Sequence, residues 1–474
     1  MTRFKTQLYI NGQWRDASDG GTFDVLNPAD ETVLATVASG TVEDAMACLD
    51  AAEAAFGPWA ARSPRERGEV LRRAYDLFMD RIDEIARLIT LENGKAGGDA
   101  MGEAKYAAEF FRWYAEEAVR SDGYLGMAPA SGARLMVHQK PAGIAVLVTP
   151  WNYPAAMGTR KIGPALAAGC PVVIKPASET PLTMLALMPI LEEAGVPPGL
   201  VNVLPSRASG AVVGAMLADA RTRVVSFTGS TEVGRKLLHA AADNVIKPAM
   251  ELGGNAPFIV CKDADIEAAA EGLMVAKMRN LGEACTAANR IYVHQEVEKP
   301  FVAKMATLKM GNGIEDGIDV GPLVNAETRD KVEFFVRDAV DKGATLELGG
   351  VRPNGAGYFF PPTVLTHVPD TAECLRDEIF GPVAAIQTFL DEEDVIRRAN
   401  DTEYGLVAYV YCGDMRRGMA LAERLEFGMI GLNRGLVSDP AAPFGGVKQS
   451  GLGREGGKEG LLEFQETQYI SAEW

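Results

Sequence analysis

The chain has 474 residues, 47% hydrophobic and 23% charged, and its 47 Lys plus Arg against 64 Asp plus Glu give a net charge of −17. At ~150 residues per domain, this length predicts two or three domains with ample core. The acidic balance argues against nucleic-acid or anionic-membrane partners, both of which need clustered positive charge.

The chain opens on a short hairpin, residues 8–10 and 13–14, about an Asn11-Gly12 turn. Helical periodicity follows over 42–56, 64–93 and 99–119; Asn93-Gly94 stops the second helix and Gly97-Gly98 separates it from the third. Residues 134–140 alternate ahead of Pro141, as a strand does. From residue 143 the pattern is strand, turn, helix, repeated. Strands at 144–148, 172–174, 201–204 and 224–227 each lead into a helix, at 155–168, 181–193, 210–218 and 232–242. Four such units in a row predict an α/β fold, a parallel sheet with helices on both faces. A second series follows Gly253-Gly254: strand 257–260, helix 266–281, strand 290–294, helix 297–305, then further alternation through 427. The tail, 463–471, alternates like a strand that pairs outside its own core. Two α/β domains and a small appendage is the economical reading.

No stretch nears the ~20 apolar residues of a membrane span. The first 14 residues carry no apolar signal-peptide core, so a cytoplasmic location is expected. Six scattered cysteines (48, 170, 261, 285, 374 and 412) include no C-x-x-C pair, which predicts reduced thiols. Four isolated histidines offer no ligand spacing, and no metal is expected.

Several segments carry chemistry. Gly451 to Gly456 satisfies G-x-G-x-x-G, but only 18 residues follow it, too few for the βαβ unit that motif needs, so a flexible glycine-rich loop is expected. Gly229 and Gly234 have P-loop spacing but Arg235-Lys236 in place of Lys-Ser/Thr, which leaves a helix N-terminus able to receive a pyrophosphate. Lys175-Pro176-Ala177-Ser178 follows a buried strand, where a lysine reaches either solvent or a ribose. Cys285, with Gly282, Glu283 and Thr286 around it, is either a small buried hydrophobe or an accessible nucleophile. Glu251 ends an apolar stretch beside two glycines, either a terminus charge or a base. Asn152 sits in a turn framed by Pro150 and Pro154, either bonding its own backbone or donating to an oxyanion.

Together these segments resemble the aldehyde dehydrogenase superfamily over nearly the whole chain. The resemblance extends to residues 9–12, 377–383 and 443–451. It implies a Rossmann-like cofactor domain (1–118 and 141–252), an α/β catalytic domain (253–446), and a small β appendage for oligomerisation (119–140 and 447–474). By the same resemblance Trp151, Asn152, Lys175, Pro176, Ala177, Ser178, Gly229, Ser230, Leu252, Glu378 and Phe380 would bind the nicotinamide cofactor. Cys285 would attack the aldehyde, Asn152 would hold the oxyanion, and Glu251 would activate the water that releases the acid. Arg160 lies eight residues after Asn152 and Arg279 six before Cys285. With Ser438, Tyr153 and Phe444 they fall in segments that line the family's aldehyde pocket. Two arginines and a serine there resemble the succinate-semialdehyde subgroup, in which they hold the distal carboxylate. Glutarate and 2-oxoglutarate semialdehydes suit the same arginines, and a catalytically silent scaffold is the alternative of another class. Ser178, where NAD-preferring relatives carry Glu, favours NADP over NAD, although Glu179 follows it. Glu283 replaces a Gln: facing Cys285 it raises the thiol pKa, and facing away it does nothing. Arg434 and Asp439 add charge near the presumed substrate loop and favour a longer or more oxidised semialdehyde. An unpaired tail strand implies a homodimer or homotetramer.

Overall fold

Five strands of the first half, Ile144–Val148, Val172–Lys175, Val201–Val203, Thr222–Thr228 and Lys247–Glu251, run parallel in one eight-stranded sheet. In this computed structural model, residues 4–295 and 305–474 are described. Ala145, Leu147 and Ile174 point into one core cluster while Ile144, Val146 and Val173 point into another, because helices cover both faces. From Ile144–Val148 the next two strands step one way across the sheet and Thr222–Thr228 lies on the other side. The strand order therefore reverses there, and the crevice beyond the carboxyl ends of those two strands is where such sheets take ligands. The opening hairpin joins one edge of this sheet by antiparallel pairing, Tyr9 to Val203. Asn11 (φ 54°) and Gly12 (φ 73°) both lie in the left-handed region, as a two-residue turn of that hand requires.

The second half forms a seven-stranded sheet in the order Thr345–Leu348, Thr363–Thr366, Val383–Phe389, Ala288–His294, Ala256–Val260, Val407–Tyr411 and Met429–Leu432. All its pairings are parallel except the first. A third sheet of Gln465–Ala472, Arg134–Pro141 and Tyr124–Met127 stands apart from both.

Four expectations are corrected. The helix expected over 64–93 is two, Pro64–Asp80 and Ile82–Asn93, because Arg81 leaves helical geometry (φ −115°, ψ 15°) and pairs with Glu193. The helix expected over 266–281 stops at Leu273, passes through a wide turn at Met274–Met278, and then kinks. Asn280 (φ 51°) and Leu281 (φ 54°) are left-handed, and the Asn280 side chain offsets that strain by donating to the carbonyls of Asn152 and Glu283. Gly451–Leu452 is no flexible loop but an edge strand paired with Met250 and Glu251. The tail strand is not unpaired either: it matches Arg134–Pro141 over eight residues within this chain. Val447–Lys448 likewise pairs with Tyr404–Gly405, so the 447–474 segment contributes to both main halves before its tail. A hairpin of Thr22–Leu26 and Val33–Ala38 was passed over, although the alternation in Thr22–Leu26 announces it. The helix expected at 297–305 lies, save its last residue, outside the described residues.

Candidate active site

A cavity of about 400 Å³ opens where the carboxyl ends of the first sheet meet the loop before Ala288–His294. Trp151, Gly229, Ser230 and Leu252 line it from the first sheet; Glu378 and Phe380 line it from the other half. Trp151 and Phe380 meet edge to face, with ring centroids 5.3 Å apart. Asn152 and Cys285 share the cavity wall with Tyr153, Arg160, Arg279, Ser438 and Phe444. Lys175, Pro176, Ala177 and Ser178 do not line it, whereas their neighbour Glu179 does. Arg434 and Asp439 are exposed and off the cavity, so the expected influence on substrate length has no structural basis.

Asn152 is held from three sides. Its Nδ2 donates to the Glu283 carbonyl at 3.0 Å, and its own carbonyl accepts from Lys95 Nζ at 2.7 Å and from Asn280 at 3.0 Å. Lys95 is in turn paired with Glu103 at 2.5 Å. The other Glu103 oxygen accepts from the Ala155 and Ala156 N–H groups, capping the buried helix Ala156–Ala168 that carries Arg160 and Lys161. One hydrogen of the Asn152 amide is committed to Glu283; the second remains for a ligand.

Glu251 lies just behind the cavity wall, buried, with neither carboxyl oxygen hydrogen-bonded. Burial, then the charge of Glu455, pushes its pKa well above the carboxylate range. Burial opposes ionisation of Glu455 too, but Arg160 and Lys161 outweigh it and hold its pKa below the usual value. Burial also pushes the Cys285 thiol up to about 12, a shift that Arg160 only partly offsets. The resting site therefore holds a neutral thiol near a carboxyl whose burial favours its protonated form. Glu455 was missed because it sits in the Gly-rich stretch read as a loop. Its partner Lys161 lies 294 residues away, and no local signal joins them.

The arginines differ. Arg160 is almost wholly buried and shares Glu455 with Lys161, while its guanidinium lies 4.3 Å from the centre of the Phe444 ring. Arg279 lines the cavity near the Tyr153 ring (5.8 Å) and makes no ion pair among the described residues.

Glu283 turns away from Cys285: its Oε1 accepts from the Val324 N–H at 3.1 Å. A consequence follows all the same. Burial pushes this carboxyl up to about 8, with the Val324 N–H and Lys95 only partly opposing. An unfolded glutamate loses its proton near ~4.3. Between that value and about 8 the folded chain binds the more protons, so stability falls as pH rises through this window. Glu283→Gln keeps an acceptor and has no proton to lose. It is expected to melt with the parent at pH 4 and about 2 °C or more above it at pH 8.5; a difference that does not widen with pH overturns this account.

A dinucleotide fits what is present. Ser230 caps the helix Thr231–Ala242 at the strand-order reversal, so its free N–H groups can face a pyrophosphate, and a Cβ on Gly229 would strike the Phe227 ring at 2.5 Å. Glu378 accepts from the Gly254 N–H at 3.3 Å, and burial pushes its pKa up to about 7. Thr328 and Lys331, from the helix Ala326–Asp341, also line the cavity and had no sequence signal.

Known proteins resemble this chain over nearly its whole length. The sequence profile of the Aldehyde dehydrogenase family matches residues 14–470. A protein of Paenarthrobacter nicotinovorans named succinate-semialdehyde dehydrogenase is 52% identical over 442 residues, covering 92% of this chain and 98% of that protein. One of Pseudomonas putida named glutarate-semialdehyde dehydrogenase is 46% identical over 471 residues, covering 98% of each. The crystal structure of an E. coli NADP-dependent enzyme superposes with a TM-score of 0.98 at 45% identity, covering 99% of this chain and 98% of that one.

Proposed function

The chain belongs to the aldehyde dehydrogenase family, and from that premise we propose that it oxidises succinate semialdehyde to succinate, with NADP as the preferred cofactor. The observation that carries the substrate is Arg279, a cavity-lining guanidinium with no carboxylate partner among the described residues. A cation so enclosed is costly unless an anion joins it. The distal carboxylate of a short semialdehyde does so while its aldehyde reaches Cys285. The relative from P. nicotinovorans, named for that activity, supports this reading. The P. putida relative makes glutarate semialdehyde the runner-up.

In the mechanism, Cys285 Sγ bonds to the aldehyde carbon as its thiol proton passes to Glu251. The oxyanion accepts from the second Asn152 amide hydrogen and the Cys285 backbone N–H. NADP⁺, when bound, supplies the hydride acceptor that turns the thiohemiacetal into a thioester. Glu251, once it has released the thiol proton to solvent, takes a proton from the water that attacks the thioester carbon, and the Cys285 thiolate leaves. Glu455 keeps the Glu251 pKa high enough for both transfers. Trp151, Gly229, Ser230, Leu252, Glu378 and Phe380 would hold the cofactor along the cavity, with Lys175, Pro176, Ala177 and Ser178 outside it toward the ribose. Lys175, whose pKa burial lowers to about 8, feels Glu179 and Arg207 as its charged neighbours. Two cations against one carboxylate favour the extra phosphate of NADP.

Residues 1–118 and 141–252 are assigned to cofactor binding, 253–446 to catalysis, and the third sheet to contact between copies in a homodimer or homotetramer. That sheet exposes Tyr124, Leu125, Met127 and Tyr469, which supports such contact. The six cysteines, none of them in a disulfide, support the cytoplasm. No helix among the described residues is long and apolar enough to cross a membrane.

The test compares succinate semialdehyde with butanal, each with NAD⁺ and NADP⁺. The parent enzyme is expected to favour the semialdehyde strongly. Arg279→Ala is expected to cut kcat/KM on it by about 10- to 150-fold, the ~1.5–3 kcal/mol of a lost charged hydrogen bond. Equal parental rates on the two aldehydes would sink the carboxylate anchor.

A further inference from the structure

We propose that Tyr106 is a substrate-binding residue that donates its phenolic O–H to the distal anionic group of the aldehyde, alongside the arginines that line the same cavity. The proposal rests on the semialdehyde reading above and deepens it. Tyr106 stands on the helix Gly97–Glu117, and its ring is pinned edge to face against Phe110, with centroids 4.8 Å apart. It lines the same cavity as Cys285, Arg279 and Ser438. Its hydroxyl is buried and its O–H finds no acceptor among the described residues; the neighbouring Arg160 can only donate to its oxygen. A buried O–H left unbonded is unfavourable, and in a ligand cavity that cost is removed when the ligand accepts from it.

The charges around it define what that ligand is. Burial keeps the phenol neutral, and so a donor, while both Arg160 and Arg279 act on it electrostatically in the opposite direction. Arg160 and Lys161 share the single carboxylate of Glu455, and Arg279 makes no ion pair among the described residues, so positive charge is in excess at this end of the cavity. One guanidinium and one neutral hydroxyl donor, with the Ser438 hydroxyl on the same wall, suit a single carboxylate: one charge to match and more than one lone pair to receive hydrogen bonds. Tyr153 Oη is also buried and unbonded, but its ring is already engaged by Lys95 at 4.2 Å and by Arg279, so Tyr106 is the cleaner test.

Tyr106→Phe removes only the hydroxyl and keeps the packing on Phe110. The readout is the ratio of kcat/KM for succinate semialdehyde to that for butanal. It is expected to fall by about 10- to 100-fold, mostly through a raised KM for the semialdehyde, since the bond forms in the ground state and the transition state alike. Competitive inhibition by succinate is expected to weaken by a similar factor. A parental preference that Tyr106→Phe leaves intact overturns this assignment alone. A parent with no preference overturns both the assignment and the semialdehyde reading. A loss shared equally by the two aldehydes shows a structural role and also overturns it.

Discussion

Cys285→Ala is expected to lower aldehyde oxidation by about 10⁴-fold or more while reduced-cofactor binding stays within about twofold. No other thiol lines the cavity. Cys285 is only partly buried there, whereas the other five cysteines are buried. Without Sγ there is no covalent intermediate, and the acid can form only through direct hydride loss from an unactivated hydrate. Steady-state absorbance of reduced nicotinamide gives the rate, and fluorescence titration gives the binding. A loss below tenfold would move the nucleophile elsewhere. A matching loss of cofactor binding would mean that the substitution had collapsed the loop.

Glu251→Gln is expected to produce a different phenotype from the same cavity. Steady-state turnover falls by about 10²- to 10⁴-fold, the contribution of a general base. The first turnover slows as well, since Glu251 also takes the thiol proton, but it still releases about one equivalent of reduced cofactor per Cys285 because hydrolysis is slowed more. The pH dependence follows from the raised Glu251 pKa. A base is active once deprotonated, so the parental hydrolysis rate climbs with pH through that raised pKa, and Glu251→Gln loses the climb. A variant with no burst assigns Glu251 chiefly to the first proton transfer; a variant with parental steady-state rate and slope removes it from the mechanism. Gln is the right replacement because both Glu251 oxygens are already without partners, so an amide of equal size disturbs no hydrogen bond.

Which parts of this site were legible in the sequence has a physical explanation. Glu251 ends a strand, Asn152 and Cys285 lie in loops beside strand ends, and each is within three residues of a glycine or proline, where backbone chemistry leaves a local trace; their order along the chain carried the family resemblance. The Asn11-Gly12 turn and the helix stops at Gly94 and Gly169, all left-handed, were readable for the same reason. The broken helices were not, because periodicity is identical on either side of Arg81, and because the kink at Asn280 is stabilised by acceptors at Asn152 and Glu283 that no local window displays.

The sequence by itself determined the alternation of strands and helices, the two α/β halves and the net acidic charge, since each is set by composition or by patterns a few residues long, and the segments around Cys285, Glu251 and Asn152 carried the family resemblance. Only the tertiary structure decided how their charges are used. Burial raises the pKa values of Glu251 and Cys285, and Glu455, brought from the far end of the chain, pairs with both Arg160 and Lys161, while Arg279 makes no ion pair among the described residues. Glu283 turns toward Val324 instead of the thiol. Charge pairing and desolvation depend on what lies within a few ångströms in space, and a spacing of 294 residues between Lys161 and Glu455 is invisible to any local reading.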